Sequence, residues 1–244
     1  MQASLELTAI LALASLLPLF IAVGTCYMKL SIVFVLVRNA IGLQNVPSNL
    51  TLNGIALLLS LFVMMPLAEG VYHYLNEHPI DFSDRESLDR FTSQGLAGYR
   101  RYLSQHARPA LVTYFEGLRY QNEQAWGDVG SGASGSAGAR TEKTGPAPES
   151  ASAPQSVDPD SVSLMSLLPA YSLSEIEDAF RIGFYLYLPF VVIDLVVSSI
   201  LLALGMMMMS PVTISIPIKL LLFIAMDGWG LLSRGLIEQY IAHP

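Results

Sequence analysis

The stretch LLALGMMMMSPVTISIPIKLLLF, residues 201–223, places four consecutive methionines between two strongly apolar segments. Glycine commonly ends a helix and proline commonly begins one, so Gly205 and Pro211 are expected to shape a turn around Met206 to Met209 that joins two apolar helices. Unbranched thioether side chains fill gaps but specify shape poorly. The run is therefore either repetitive packing or a flexible apolar cluster with a use of its own.

A low charge content and long uncharged runs indicate a membrane protein. Of the 244 residues, 52% are hydrophobic and 14% are charged, whereas a soluble domain carries about 25% charged residues. Three stretches contain no charged residue: 7–28, 39–68 and 195–218. Each reaches the roughly 20 residues that a spanning helix needs. The predicted fold class is an all-α membrane protein.

The predicted organisation is two long apolar helical hairpins with a polar, partly helical insert between them. Residues 1–75 form the N-terminal hairpin, and residues 161–244 form the C-terminal hairpin with the methionine turn. Residues 76–126 carry apolar and aromatic residues at helical spacing among charges, which predicts amphipathic helices. Residues 127–160 are rich in Gly, Ser, Ala and Pro, which predicts a disordered linker because few large apolar side chains can offset the chain entropy.

Local signals predict where the four apolar helices begin and end, at residues 5–38, 50–75, 173–204 and 212–237. Ser48 has helix-start chemistry for the second helix, and Ser172 with Glu175 has the form of a capping box for the third. Gly205 is a natural stop for the third helix. That helix would be roughly 48 Å long and bent near Pro189.

Four charges interrupt the apolar helices: Lys29, Asp194, Lys219 and Asp227. An unpaired charge at membrane depth costs several kcal/mol, so these residues are expected to pair within the chain or between copies. Lys219 and Asp227 are eight residues apart on one predicted helix, which is too far for pairing along that helix. Their partners are therefore expected on other helices. Assembly of the protein is favoured over a proton relay, since a relay needs an acid accessible from both sides.

Charge and motif content exclude several other functions. The net charge of −7 argues against nucleic-acid binding. The single cysteine excludes an intrachain disulfide, and the four histidines lack metal-ligand spacing. The sequence has no Gly-rich phosphate loop and no nucleophile elbow. We expect no enzymatic activity, no metal and no cofactor. Lys29, Arg38 and Lys219 beside the short links favour a cytoplasmic position for those links, with the insert and both termini in the periplasm.

Two longer stretches resemble one known family. LLPAYSLSEIEDAFRIGFYLYLPFVVIDLVVSSILLALGMMMMSPVTISIPIKLLLFIAMDGWGLL, residues 167–232, closely resembles the C-terminal half of the FliP/SctR family, and CYMKLSIVFVLVRNAIGLQNVPSNLTLNGIALLLSLFVMMP, residues 26–66, is similar to its N-terminal part. These are inner-membrane export-apparatus proteins of flagella and type III secretion systems. MMMMSP together with SIPIKLLLF resembles the virulence-associated, or injectisome, branch.

The resemblance implies a subunit of a protein-conducting channel. Several copies would assemble with FliQ/SctS-like and FliR/SctT-like small membrane proteins into a helical, ring-like export gate. The gate would lie above the FlhA/SctV-like export component and beneath the needle or inner-rod proteins, partly raised from the membrane lipid toward the periplasm, and secreted substrates would cross it unfolded. Met206 to Met209 would line the closed pore as gasket residues.

Side-chain chemistry leaves other interpretations open. In a lone chain the methionines are simple packing, whereas in a ring of copies they form an apolar constriction that excludes ions by dewetting. The alternative function is a small-solute secondary transporter or ion channel with Asp194 and Lys219 as its coupling pair. A third possibility is an assembly scaffold without a pore.

Overall fold

The protein is helical throughout the part of the chain that the computed structural model describes, which is residues 11, 15, 18–19, 21–78, 85–131, 162–206 and 208–241. The helices are α1 (Tyr27–Ile41), α2 (Asn49–Glu77), α3 (Arg85–Arg90), α4 (Ala97–His106), α5 (Pro109–Ser131), α6 (Leu164–Ala203), α7 (Pro211–Ala225) and α8 (Gly228–Ile241), and a π-helical turn, Phe91–Gly95, joins α3 to α4. No strand occurs in these ranges. The predicted all-α membrane fold is confirmed.

The predicted linker falls mostly outside the described residues. Helix α5 runs to Ser131, which is past the predicted start of the linker at residue 127, and residues 132–160 lie outside the described ranges. The first ten residues of the predicted N-terminal hairpin and Met207 of the methionine run also lie outside them.

Helix α1 forms the centre of the fold and packs most extensively against α6. Its side chains Leu30, Val33, Phe34 and Val37 are buried, and their spacing of three or four residues places them together on the helix. A Cβ atom at Gly183 of α6 would overlap Leu36 of α1. Small residues allow such close approach of helices in membrane proteins, where close packing drives association.

Helices α2 and α6 are each long and apolar enough to cross a membrane, and α7 with α8 would make a third crossing if the two are taken as one bent span. Helix α2 begins as predicted: the Oγ of Ser48, its N-cap residue, accepts a hydrogen bond of 3.2 Å from the backbone N–H of Thr51. An apolar stretch of 18 residues in each of these two helices is only 22% buried in α2 and 17% buried in α6. Most of this apolar surface is therefore left uncovered by the rest of the described chain.

The predicted start of the third apolar helix at residue 173 is wrong. Helix α6 has 40 residues and begins at Leu164, with Ser163 as its N-cap residue. Ser172 lies inside the helix, where its hydroxyl contacts the carbonyl oxygens of Leu168 at 2.7 Å and Val23 at 3.0 Å. Ser172 and Glu175 therefore form no capping box, because packing against α1 carries the helix through this position.

The predicted last helix, 212–237, is also wrong, because it is two helices bent by 59°. Helix α7 ends at Ala225 and α8 begins at Gly228. Asp227, between them, has a φ of 50°, a left-handed conformation in which a helix does not continue. Lys219 therefore lies on α7 and Asp227 lies in the break that follows it, so the two residues are not on one helix.

The three cations used to orient the chain are built into the fold. Lys29, Arg38 and Lys219 are all buried. Arg38 donates from Nη1 to the carbonyl oxygen of Pro47 at 3.0 Å and to Oδ1 of Asn49 at 2.6 Å. The positive-inside tendency concerns cations in loops. These residues therefore supply no evidence for the predicted orientation.

Candidate functional site

The methionine run occupies the turn that joins α6 to α7. Gly205 adopts a φ of 73°, and the N–H groups of Gly205 and Met206 donate to the carbonyl oxygens of Leu202 and Leu201, each at 3.0 Å. This arrangement ends a helix and satisfies its last carbonyls. Pro211 stands in the first turn of α7, where its missing N–H costs no helical hydrogen bond.

The described methionine side chains project away from the chain. Met208 is fully exposed at 103%, and Met206 and Met209 are 40% and 47% exposed. Leu204 before the turn and Val212 after it are exposed as well. The apolar tip therefore has little cover within its own chain, so it does not serve as core packing there.

The helices on either side of this turn are joined by an ion pair between Asp194 and Lys219, called here the α6–α7 ion pair. The Nζ atom of Lys219 on α7 lies 2.6 Å from Oδ2 of Asp194 on α6 and donates to the carbonyl oxygen of Ala40 on α1 at 3.3 Å. Lys219 is only 5% exposed. The prediction that Lys219 pairs with an acid on another helix is confirmed. The pair ties three helices together at one point.

Lys29 pairs with acids that the sequence did not single out. Its Nζ atom lies 3.3 Å from Oε1 of Glu175 and 3.9 Å from Oδ2 of Asp178, both on α6. The Tyr240 hydroxyl of α8 donates to Glu175, and the Tyr240 ring faces Lys29 with its centroid 4.8 Å from Nζ. The Lys29 ammonium is therefore stabilised both by a buried carboxylate and by the face of an aromatic ring.

Glu175 was predicted as a capping-box residue at the start of the third helix and not as a buried partner of Lys29. The buried residues Leu167, Tyr171, Glu175, Ala179 and Gly183 recur every four positions along α6, and residues four apart share a face of a helix. That spacing is the signal that identifies Glu175 as an interior residue.

Tyrosines extend this cluster into the polar insert. The hydroxyl groups of Tyr102 on α4 and Tyr171 on α6 lie 2.7 Å apart. The Tyr99 hydroxyl donates to the carbonyl oxygen of Gly24 at 2.8 Å. Burial raises the pKa of Tyr99 to about 12 and raises the pKa of Tyr102 further. Both phenols are therefore neutral hydrogen-bonding groups that dock α4 on the apolar core.

The insert is also anchored by Arg108 at the start of α5. The Arg108 guanidinium pairs with Glu177 and, at 3.0 Å, with Asp178. Hydrogen bonding to Glu177 raises the pKa of Arg108 above its usual value. Because these side chains are partly exposed, the pairs are worth at most about 1 kcal/mol each.

The remaining predicted residues stay apart from these clusters. Asp227 is exposed and makes no ion pair with a described residue. No three His, Cys, Asp or Glu residues are grouped so that they could hold a metal ion in the described ranges. The site therefore consists of an exposed apolar turn, Gly205 and Pro211 at its ends, and helices fixed by buried charge.

Comparison with known proteins identifies the family of this chain. The FliP family model matches residues 10–236. The chain is 53% identical to surface presentation of antigens protein SpaP of Shigella flexneri, over 100% of both chains. It is 40% identical to Yop proteins translocation protein R of Yersinia pestis and 39% identical to virulence protein YscR of Salmonella typhimurium, over 97% of this chain and 96% of each relative. The protein belongs to the FliP family, among its virulence-associated type III secretion members.

Proposed function

We propose that this protein is a core subunit of the type III secretion export gate, which forms the inner-membrane pore for unfolded secreted substrates. The observation that carries the proposal is the exposed methionine turn, whose side chains have little cover within their own chain. Copies arranged around an axis would bring these turns together. The thioethers would then form an apolar gasket from Met206, Met207, Met208 and Met209.

The flanking helices suit this role because they are held rigidly, whereas the turn between them is adaptable. The α6–α7 ion pair joins the helices that carry the turn, and Lys219 also reaches α1. A seal needs a rigid frame, so that only the side chains move when a polypeptide passes. Methionine suits the moving part because its three rotatable bonds let it close around varied shapes.

The proposal assigns the other predicted charges to assembly and names the partners. Lys29, Asp194 and Lys219 hold helices in the form that the complex needs, and Asp227, exposed at the α7–α8 break, faces a neighbouring subunit. Other copies of the chain, FliQ/SctS-like and FliR/SctT-like proteins, the FlhA/SctV-like component and the needle or inner-rod proteins are the partners. The gate stands partly raised toward the periplasm and performs no chemistry.

Replacing the four methionines by alanine tests the gasket. We expect the assembled complex to form but the membrane to leak small ions, because alanine side chains are too short to close the constriction. Ion conductance across membranes that contain the complex measures the leak. The matched control is Met165→Ala with Met226→Ala, which alters exposed methionines outside the turn and is expected to keep the membrane tight.

The same experiment separates the alternatives. A scaffold without a pore would leave ion conductance unchanged in the quadruple alanine variant while the complex still forms. Equal leak from the control variant would show that conductance comes from general loosening of the complex. Either result would contradict a methionine gasket.

A further inference from the structure

A groove of about 420 Å³ lies between α2, α4 and α8, away from the methionine turn. Its lining is mostly apolar on the α2 side and polar along α4. Helix α2 contributes Val63 and Leu67, the last turn of α8 contributes Ile241, and α4 contributes Gly98, Arg101 and Gln105. The groove therefore has the two-sided chemistry of an amphiphile site.

The charge along α4 is of one sign. Its sequence, AGYRRYLSQH, contains two arginines and a histidine and no acid, in a chain with a net charge of −7. A basic helix beside an apolar helix of spanning length is suited to an anionic group at the edge of a membrane.

Unlike Arg90 and Arg119 of the insert, Arg101 is not paired with an acid among the described residues. Arg90 pairs with Glu86 at 3.3 Å, and Arg119 pairs with Glu116 at 3.2 Å. The Arg101 guanidinium is exposed at the rim of the groove and has no hydrogen bond or ion pair with a described side chain or backbone group. Its five N–H donors are free to bind an oxyanion.

We propose that this groove binds an anionic phospholipid, with an acyl chain along Val63 and Leu67 of α2 and the phosphate on Arg101. The apolar wall favours a lipid over an acidic protein segment, since a peptide carboxylate would satisfy Arg101 and leave that wall unfilled. Helix α2 is also long and apolar enough to cross a membrane, which suits it to contact acyl chains. The site is independent of the methionine turn.

Photolabelling tests the site. The full-length protein is placed in phosphatidylcholine nanodiscs that contain phosphatidylglycerol with a diazirine on its acyl chain, and labelled residues are mapped by peptide mass spectrometry. We expect label on Val63, Leu67 and Ile241, removed by unlabelled phosphatidylglycerol. Added phosphatidylcholine should compete poorly because it carries no net negative charge.

Arg101→Gln should weaken labelling about tenfold, which is the loss expected for one charge-assisted contact to phosphate. The matched control is Arg234→Gln, which removes an equal charge from an exposed arginine outside the groove, and labelling should be unchanged. Gly98→Leu tests the groove by volume: the new side chain extends from a Cβ position 3.6 Å from Leu67 and should block labelling while α4 stays helical.

Three results would overturn the proposal. Labelling that is equal in Arg101→Gln and Arg234→Gln would show that Arg101 does not bind the headgroup. Label scattered over the exposed face of α2 would show bulk lipid contact only. Competition by free glycerol phosphate as strong as by phosphatidylglycerol would show that the groove recognises the phosphate alone and not a lipid.

Discussion

Individual buried charged residues contribute strongly to the stability of this fold. Lys219→Met keeps the length of the side chain but leaves the Asp194 carboxylate without its cation. Breaking a buried pair costs about 3–5 kcal/mol, and this is an upper limit here because the Asp194 side chain is 38% exposed. We expect a lower thermal unfolding midpoint and less assembled complex, measured in detergent by light scattering and thermal denaturation.

The double variant Asp194→Leu with Lys219→Met is the control for that prediction. Replacing both partners by apolar residues is often neutral, because no charge is left unpaired. The double variant should therefore recover most of the loss. A double variant as unstable as the single one would show that Lys219 acts through its hydrogen bond to Ala40 or through packing and not through the charge pair.

At the residue scale, sequence identified the charges that need partners but not all of the partners. Lys219 in an apolar helix requires an acid, and Asp194 was among the candidates. Glu175 was predicted only as a capping-box residue because it follows Ser172 by three positions, whereas its neighbours along the same helix face are buried. Burial is a property of the packed molecule, and a local motif does not encode it.

At the element scale, helix ends set by local chemistry were predictable and ends set by packing were not. Ser48 begins α2 and Gly205 ends α6 because side-chain capping and left-handed geometry act over a few residues. The break at Asp227 separates α7, which packs on α6 and α1, from α8, which packs on α2. The apolar character of 212–237 resumes after Asp227, so the sequence predicted one helix interrupted by a charge.

The close approach of α1 and α6 gives a prediction at this scale. In Gly183→Ala the new Cβ atom would overlap Leu36, and overpacking costs about 1–3 kcal/mol. In Gly70→Ala on α2 the new atom would meet nothing within 4 Å, and alanine is favoured over glycine in a helix by up to about 1 kcal/mol. We expect the thermal unfolding midpoint to fall in the first variant and to hold or rise in the second.

Each of these two alanine variants serves as the control for the other, because both make the same chemical change. If both shift the unfolding midpoint equally, the α1–α6 contact is looser than the structure indicates. A midpoint that falls only in Gly183→Ala ties the loss to the packing of these two helices, and a compensating Leu36→Ala change should then restore part of it.

At the scale of the whole molecule, the single chain leaves long apolar faces uncovered. Large exposed side chains follow α2 and α6 along most of their length, among them Leu58, Phe62, Phe184, Leu195 and Ile200. Hydropathy predicts such faces but does not distinguish lipid from protein as their cover. The export-gate proposal assigns much of this surface to other subunits, whereas a transporter would present it to lipid.

Composition of the purified complex decides between those two uses of the surface. The full-length protein, extracted in mild detergent from cells that express its whole secretion system, should co-purify with two smaller apolar proteins in a fixed ratio, and native mass spectrometry measures that ratio. Asp194→Leu with Lys219→Met provides the control, since an export gate keeps its function when the pair is replaced by packing, whereas a solute transporter loses its coupling charges. A protein that purifies alone or as a small homo-oligomer, and loses solute transport in the double variant, would contradict the export gate.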